Sequence, residues 1–146
     1  MGCLRHPSSS NVRQRTCVRK LASSGAAVAT VAVDPLAGGL VAAGRADGSV
    51  AVWDLRGTAF APEQQPLAVW SYHSGECRGL DFSPDARFLA TAGFDGRVSV
   101  IDLDHTSTEA VHVAELDGKA TQVKFHPTAC VLATAGADQA VRLWSV

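Results

Sequence analysis

LATAGFDGRVSVIDL occupies residues 89–103, and LATAGADQAVRLWSV occupies residues 132–146. The two stretches share an apolar run, a tight turn carrying one acid (Asp95, then Asp138) and a second apolar run, in the same order. A third copy, GLVAAGRADGSVAVWDL, precedes them at residues 39–55, with Asp47 in the turn. The dipeptides Asp34-Pro35, Ser83-Pro84 and His126-Pro127 stand at matching places upstream, and the turn acid is always followed six residues later by Trp53, Ile101 or Trp144. Asp-to-Asp spacings of 48 and 43 residues make this an internal repeat, which is the first thing to settle because the period decides the architecture.

Within each unit the local pattern is that of consecutive antiparallel strands. ATVAVDP, CRGLDFSP and TQVKFHP are short strands closed by a proline, whose fixed φ and missing N–H break a ladder. GLVAAG, RFLATAG and CVLATAG follow as nearly all-apolar strands, the composition of strands covered on both faces. The turns RADGS, GFDGR and GADQA lead to VAVWDL, VSVIDL and VRLWSV, with β-branched and aromatic alternation. A weaker strand, TCVRKL, LAVWSY or AVHVAEL, precedes each unit. The reading is all-β: three four-stranded antiparallel blades at about 15–55, 66–103 and 110–146, the last strand pairing with no later blade.

Composition bounds the function. At 146 residues and 47% apolar content the chain is about one globular domain, and no stretch approaches the roughly 20 apolar residues of a membrane span. No membrane contact is expected. Residues 1–33 hold five basic groups and no acid, and the rest is acidic. The head lacks an aromatic residue to stack a base, so nucleic acid binding is not expected and residues 1–14 are read as a disordered basic segment. Acylation at Gly2 and Cys3 is disfavoured by His6, which stands where the pattern wants Ser or Thr. Four scattered cysteines indicate reduced thiols, hence a cytoplasmic setting, and neither they nor the five histidines show zinc-ligand spacing. No metal or cofactor is expected.

The chain resembles the tryptophan-aspartate (WD) repeat β-propellers. Trp53-Asp54, the partial form Ile101-Asp102, the worn form Trp144-Ser145, the three turn acids and FSPDARFLATAGFDG carry the resemblance over residues 15–146. It implies that each turn Asp accepts hydrogen bonds from a His before the first strand. That His meets a Ser or Thr of the second strand, which meets the Trp of the third. Placed on this sequence the network is incomplete: His73, Thr91 and Asp95 with Ile101 in the middle blade, Thr134, Asp138 and Trp144 with Leu116 for His in the last. The first blade has Asp47 and Trp53, with Ser24 at the His position and Ala42 at the Ser/Thr position.

The resemblance further implies a non-catalytic platform for other proteins. Its upper face would carry Phe94, Arg78, Glu76, Lys119 and Gln122, beside Ala46 and Ala137. The wording of the three units is similar to the C-terminal blades of microtubule-associated WD proteins, which implies a cytoskeletal or ciliary partner. A subunit of another complex, such as an RNA-processing or ubiquitin-ligase assembly, is the alternative. A hydrolase using His73 with Asp95 ranks below both, since no nucleophile elbow, P-loop or H-E-x-x-H motif is present. Three blades are fewer than the 4–8 of closed propellers, so further blades are expected from a longer chain, a second copy or another subunit.

Overall fold

The computed structural model describes residues 17, 19–21, 25–36, 39–56, 64–104 and 110–146. The expected disordered segment 1–14 and Ser24 lie outside the described residues, as do Thr16 and Val18 of TCVRKL, whose described residues form no strand beyond an isolated bridge at Leu21. The first sheet contains β1 (Val28–Val33), β2 (Leu40–Arg45), β3 (Ser49–Asp54) and β4 (Ala68–Ser71). The second contains β5 (Cys77–Phe82), β6 (Phe88–Gly93), β7 (Arg97–Asp102) and β8 (His112–Glu115). The third contains β9 (Ala120–Phe125), β10 (Val131–Gly136) and β11 (Val141–Ser145). All sheet pairings are antiparallel between strands adjacent in sequence.

Sheets and sequence repeats are out of phase by one strand, which corrects the expected strand membership. LAVWSY leads the second repeat, but its strand β4 pairs with β3 of the first, Val50 opposite Trp70. Likewise β8 pairs with β7, so the sheets run 28–71, 77–115 and 120–145, and the third has three strands among the described residues rather than four. A strand following a loop completes the sheet it has just left, while the first strand after it opens the next sheet at the inner edge. Neighbouring sheets are thereby sewn together by the chain.

The proline turns repeat one backbone bond: Asp34 N to Leu40 O at 2.9 Å, Ser83 N to Phe88 O and His126 N to Val131 O both at 2.8 Å. His126 is therefore a turn residue, and its ring Nδ1 accepts the amides of Thr128 and Ala129 at 3.1 and 2.9 Å.

Each sheet has a small-residue face and a large-residue face, and the faces alternate. Ala42, Val50 and Val52 of the first sheet pack against Leu80, Leu89 and Ile101 of the second. Ala90, Ala92, Val98 and Val100 of the second pack against Val123, Leu132 and half-buried Trp144 of the third. The outward faces differ. Trp53, Ala51 and Ala43 are buried beneath Leu21 and Leu55, and Leu21 forms a parallel bridge to Gln64. Val31 and Val33 of β1, and Val141 and Leu143 of β11, are more than 60% exposed.

Candidate functional site

The turn acids are the sequence features most charged with chemistry, and the structure gives each a different partner set. In the second sheet His73, in the loop before β5, reaches the β6–β7 turn. Its Nδ1 lies 3.0 Å from Asp95 Oδ1 and its Nε2 lies 2.8 Å from Thr91 Oγ1. An ionised carboxylate only accepts, so Nδ1 carries the proton and donates, and Nε2 accepts from the Thr91 hydroxyl. Asp95 also accepts the backbone amides of Ser74 and Arg97 at 3.0 and 3.1 Å. Gly93 is obligatory beneath this ring, because a Cβ there would lie 2.4 Å from His73 Nδ1.

Burial and hydrogen bonding pull these groups in opposite directions. Burial holds the His73 imidazole below its ordinary pKa, against the upward pull of Asp95. Burial also pushes Asp95 upward, but the amides of Arg97 and Ser74 with His73 outweigh it and leave the carboxyl below its usual value. The pair is thus a neutral imidazole on a carboxylate at neutral pH. Thr91, His73 and Asp95 stand in the order of nucleophile, base and orienting acid. Thr91 is fully buried, however, and the His73 side chain has no exposed surface, so no substrate reaches the hydroxyl.

The third sheet, where Leu116 replaces the histidine, recruits a partner from another strand. Arg142 of β11 places Nη1 2.6 Å from Asp138 Oδ2, and both atoms are shielded from solvent. Trp144 Nε1 donates to Thr134 Oγ1 at 3.0 Å, the indole-to-hydroxyl link that the resemblance implied. Substituting Arg142 with methionine is expected to destabilise the fold by about 1–3 kcal/mol, since it leaves a largely buried carboxylate without its cation. Urea unfolding measures it, and a loss below about 0.5 kcal/mol would show Arg142 to be dispensable.

In the first sheet Asp47 turns onto its own hairpin, accepting Ser49 N at 2.9 Å and Ser49 Oγ at 2.6 Å. These bonds, the hydroxyl first, hold its carboxyl below the usual range. The slot filled by Gly93 in the second sheet holds Arg45 here, 7% exposed. The Ser/Thr slot is Ala43, not Ala42 as expected. Ala43 stands opposite Ala51 as Thr91 stands opposite Ser99, whereas Ala42 faces the second sheet. A one-residue slip along a strand reverses the face. With alanine in that slot and the Ser49 hydroxyl committed to Asp47, Trp53 Nε1 donates to the Gln64 backbone carbonyl at 3.2 Å, and the Gln64 amide bonds Asp54 O.

Of the expected upper-face residues, Phe94 and Lys119 come together. The Lys119 ammonium sits 4.6 Å from the Phe94 ring centroid, and Phe94 N donates to Glu76 O at 2.9 Å. Arg78 Nη1 lies 3.5 Å from Glu76 Oε1. Gln122 is exposed on β9, and its Oε1 accepts the Val123 amide. Ala46 and Ala137 are exposed beside their turn acids. Arg45, Arg142 and Gln64 escaped sequence reasoning. The signal for Arg142 was a cation two residues before Trp144, on the same face of a strand, in the repeat that lacks the histidine.

Among the described residues no group of three or more His, Cys, Asp or Glu side chains could hold a metal ion. Cys77 is buried, which pushes its thiol up to about 12 and leaves it a packing residue.

The sequence profile of the WD domain, G-beta repeat family matches residues 15–54, 64–102 and 110–145. Protein HIR1 of Eremothecium gossypii is 28% identical over 133 residues, covering 72% of this chain and 16% of its own length. Actin-interacting protein 1 of Drosophila melanogaster is 31% identical over 111 residues, covering 73% of this chain and 17% of its own. A WD repeat-containing protein 91 homolog of Dictyostelium discoideum is 31% identical over 88 residues, covering 60% of this chain and 11% of its own. This chain thus spans less than a fifth of the length of these relatives. Among solved structures, a chain of the Crystal Structure of Mitotic Checkpoint Complex superposes with a TM-score of 0.77 at 22% identity, over 92% of this chain and 41% of that one. Three phased repeats folded into three packed antiparallel sheets, matched by the family profile along most of their length, establish that this chain belongs to the WD-repeat family of β-propeller proteins.

Proposed function

We propose that the chain is a non-catalytic scaffold whose upper face, around Phe94 and Arg78, docks a protein partner of the cytoskeleton in the cytoplasm. The observation that carries this reading is the Phe94–Lys119 stack beside the Glu76–Arg78 pair. It places an aromatic ring, two cations and an acid, drawn from two sheets, on one surface. Aromatic and Arg side chains in such settings are the usual anchors of interfaces. The sealed position of Thr91 weighs against the hydrolase reading. Similarity to an actin-interacting protein supports a cytoskeletal partner, whether actin filament, microtubule or ciliary axoneme. The exposed apolar side chains on the outward faces, with the short span of each relative that is covered, support further blades from a longer chain or another subunit.

Cosedimentation with polymerised tubulin and with filamentous actin tests the reading. Phe94→Ala is expected to weaken capture by about 5–30-fold, the equivalent of about 1–2 kcal/mol, while shifting stability by less than about 1 kcal/mol. Absence of binding to either polymer would favour the alternative, a subunit of a different multiprotein assembly. Undiminished binding by the variant would remove Phe94 from the interface.

A further inference from the structure

The surface opposite Phe94 carries a groove of about 470 Å³ between the second and third sheets. Strand direction places it there: the Ser83–Pro84 and His126–Pro127 turns lie at the other ends of the strands from the Asp95 and Asp138 turns. The walls are apolar and come from both sheets. Pro84 and Phe88 stand on one side, Phe125, Pro127 and Cys130 on the other. The volume falls in the range of ligand clefts, roughly 300–1,000 Å³.

The mouth is acidic. Asp85 and Asp102 line it, and Asp104 is drawn to the same place by Arg87. Arg87 Nη2 lies 3.1 Å from Asp102 Oδ2 and Arg87 Nε lies 3.7 Å from Asp104 Oδ2, with the guanidinium 5.1 Å from the Phe88 ring centroid. Asp85 binds Ser83 Oγ at 2.6 Å and the Arg87 amide at 3.2 Å, which holds its carboxyl ionised. Two carboxylates thus share the Arg87 guanidinium while Asp85 takes only the Arg87 backbone amide, and the mouth keeps an excess of negative charge above an apolar floor.

The groove also meets a sheet edge. Val111 lines it and immediately precedes β8, which pairs only with β7 among the described residues. An extended chain leaving the groove can run beside that edge, which a compact organic cation cannot exploit.

The geometry points to a docking site for a short basic-apolar peptide, with a Leu- or Phe-type side chain in the groove and Lys or Arg at the carboxylates. Phosphate-bearing partners are repelled by the same acids. The site lies on the opposite surface from Phe94 and does not rest on the scaffold reading above.

Cys130 reports occupancy, because it is an exposed thiol in the groove wall, while exposed Cys17 lies outside the groove and serves as the internal reference. The probe is the capped peptide acetyl-Arg-Leu-Phe-Arg-amide, with acetyl-Glu-Leu-Phe-Glu-amide as its charge-reversed control. Iodoacetamide labelling of the purified protein is followed residue by residue by mass spectrometry. The basic peptide is expected to slow labelling of Cys130 but not of Cys17, about fivefold at four times its dissociation constant, since only the free fraction reacts. Ala129→Trp, which fills the groove, should abolish peptide binding measured by fluorescence anisotropy. Asp104→Asn, at a surface carboxylate whose loss spares the fold, should weaken binding several-fold. Equal protection by the acidic peptide, protection of both thiols, or no protection at millimolar peptide would overturn the proposal.

Discussion

Replacing His73 with alanine is expected to lower the free energy of unfolding by about 2–4 kcal/mol. The change strips the fully buried Thr91 hydroxyl of its acceptor and the Asp95 carboxylate of its ring donor, and each unpaired buried group costs about 1–3 kcal/mol. The groups act as one network, so His73→Ala combined with Thr91→Val should cost less than the sum of the two single changes. Urea denaturation at pH 7.5 measures all three. Additive losses, or a His73→Ala loss under about 1 kcal/mol, would mean that the ring merely fills space.

The same residue sets a pH dependence whose sign follows from its burial. The folded-state pKa of His73 is depressed below its unfolded value, so between the two values the unfolded chain binds more protons. Stability contributed by neutral His73 is present above about pH 6.5 and is lost as pH falls from there toward the folded value. The Asp95 contribution persists to lower pH, because its folded pKa is also depressed and protonation removes it only below the ordinary carboxylate range. Wild-type melting temperature should drop between pH 7 and pH 5.5, and the His73→Ala variant should show a shallower decline over that interval. A steeper decline in the variant would contradict the neutral-ring assignment.

The repeat was legible because its phase is written along the chain: a proline turn, an acid 11 or 12 residues on and a large apolar residue (Trp53, Ile101, Trp144) six residues after the acid recur in all three units. The His73–Thr91–Asp95 contact was legible only through the family resemblance, which the phase of the repeat carried onto those three positions. What escaped was anything supplied from a direction that spacing does not record. Arg142 replaces a histidine of a preceding loop by reaching from the last strand of its own sheet. Gln64 offers a backbone carbonyl to Trp53, and a backbone carbonyl has no sequence signature. The misplacement at Ala42 has another origin. In a strand of small apolar residues either parity reads as buried, and only the cross-strand partner tells Ala43 from its neighbour. Sheet membership of LAVWSY failed likewise, since an alternating strand states its faces but not the sheet to which it belongs.

The largest effect is expected at Gly48, which belongs to no polar network. The turn glycine of the first hairpin has φ +89°, and an added Cβ would lie 2.1 Å from the His73 carbonyl oxygen and 2.7 Å from that of Gly75. Both obstacles are backbone atoms of the loop that opens the next blade, so no rotamer change relieves them. Gly48→Ala must absorb about 1–2 kcal/mol for a left-handed backbone and then push that loop away, for a total above about 3 kcal/mol. The displaced segment carries His73, so the damage should spread to the Asp95 corner, and Gly48→Ala and His73→Ala should be strongly non-additive. Gly96, with φ +81°, repeats the arrangement more loosely, its added Cβ meeting Gly118 O at 2.8 Å. The equivalent residue of the third turn is Gln139, exposed at φ 68°, a side chain the turn accepts where no described loop packs over it. Inter-blade contact, rather than turn geometry alone, therefore dictates the glycines. Thermal and urea unfolding should rank the losses as Gly48→Ala, then Gly96→Ala, with Gln139→Ala near zero. Equal losses at Gly48 and Gly96 would mean that the hairpin conformation itself sets the requirement and the neighbouring blade does not.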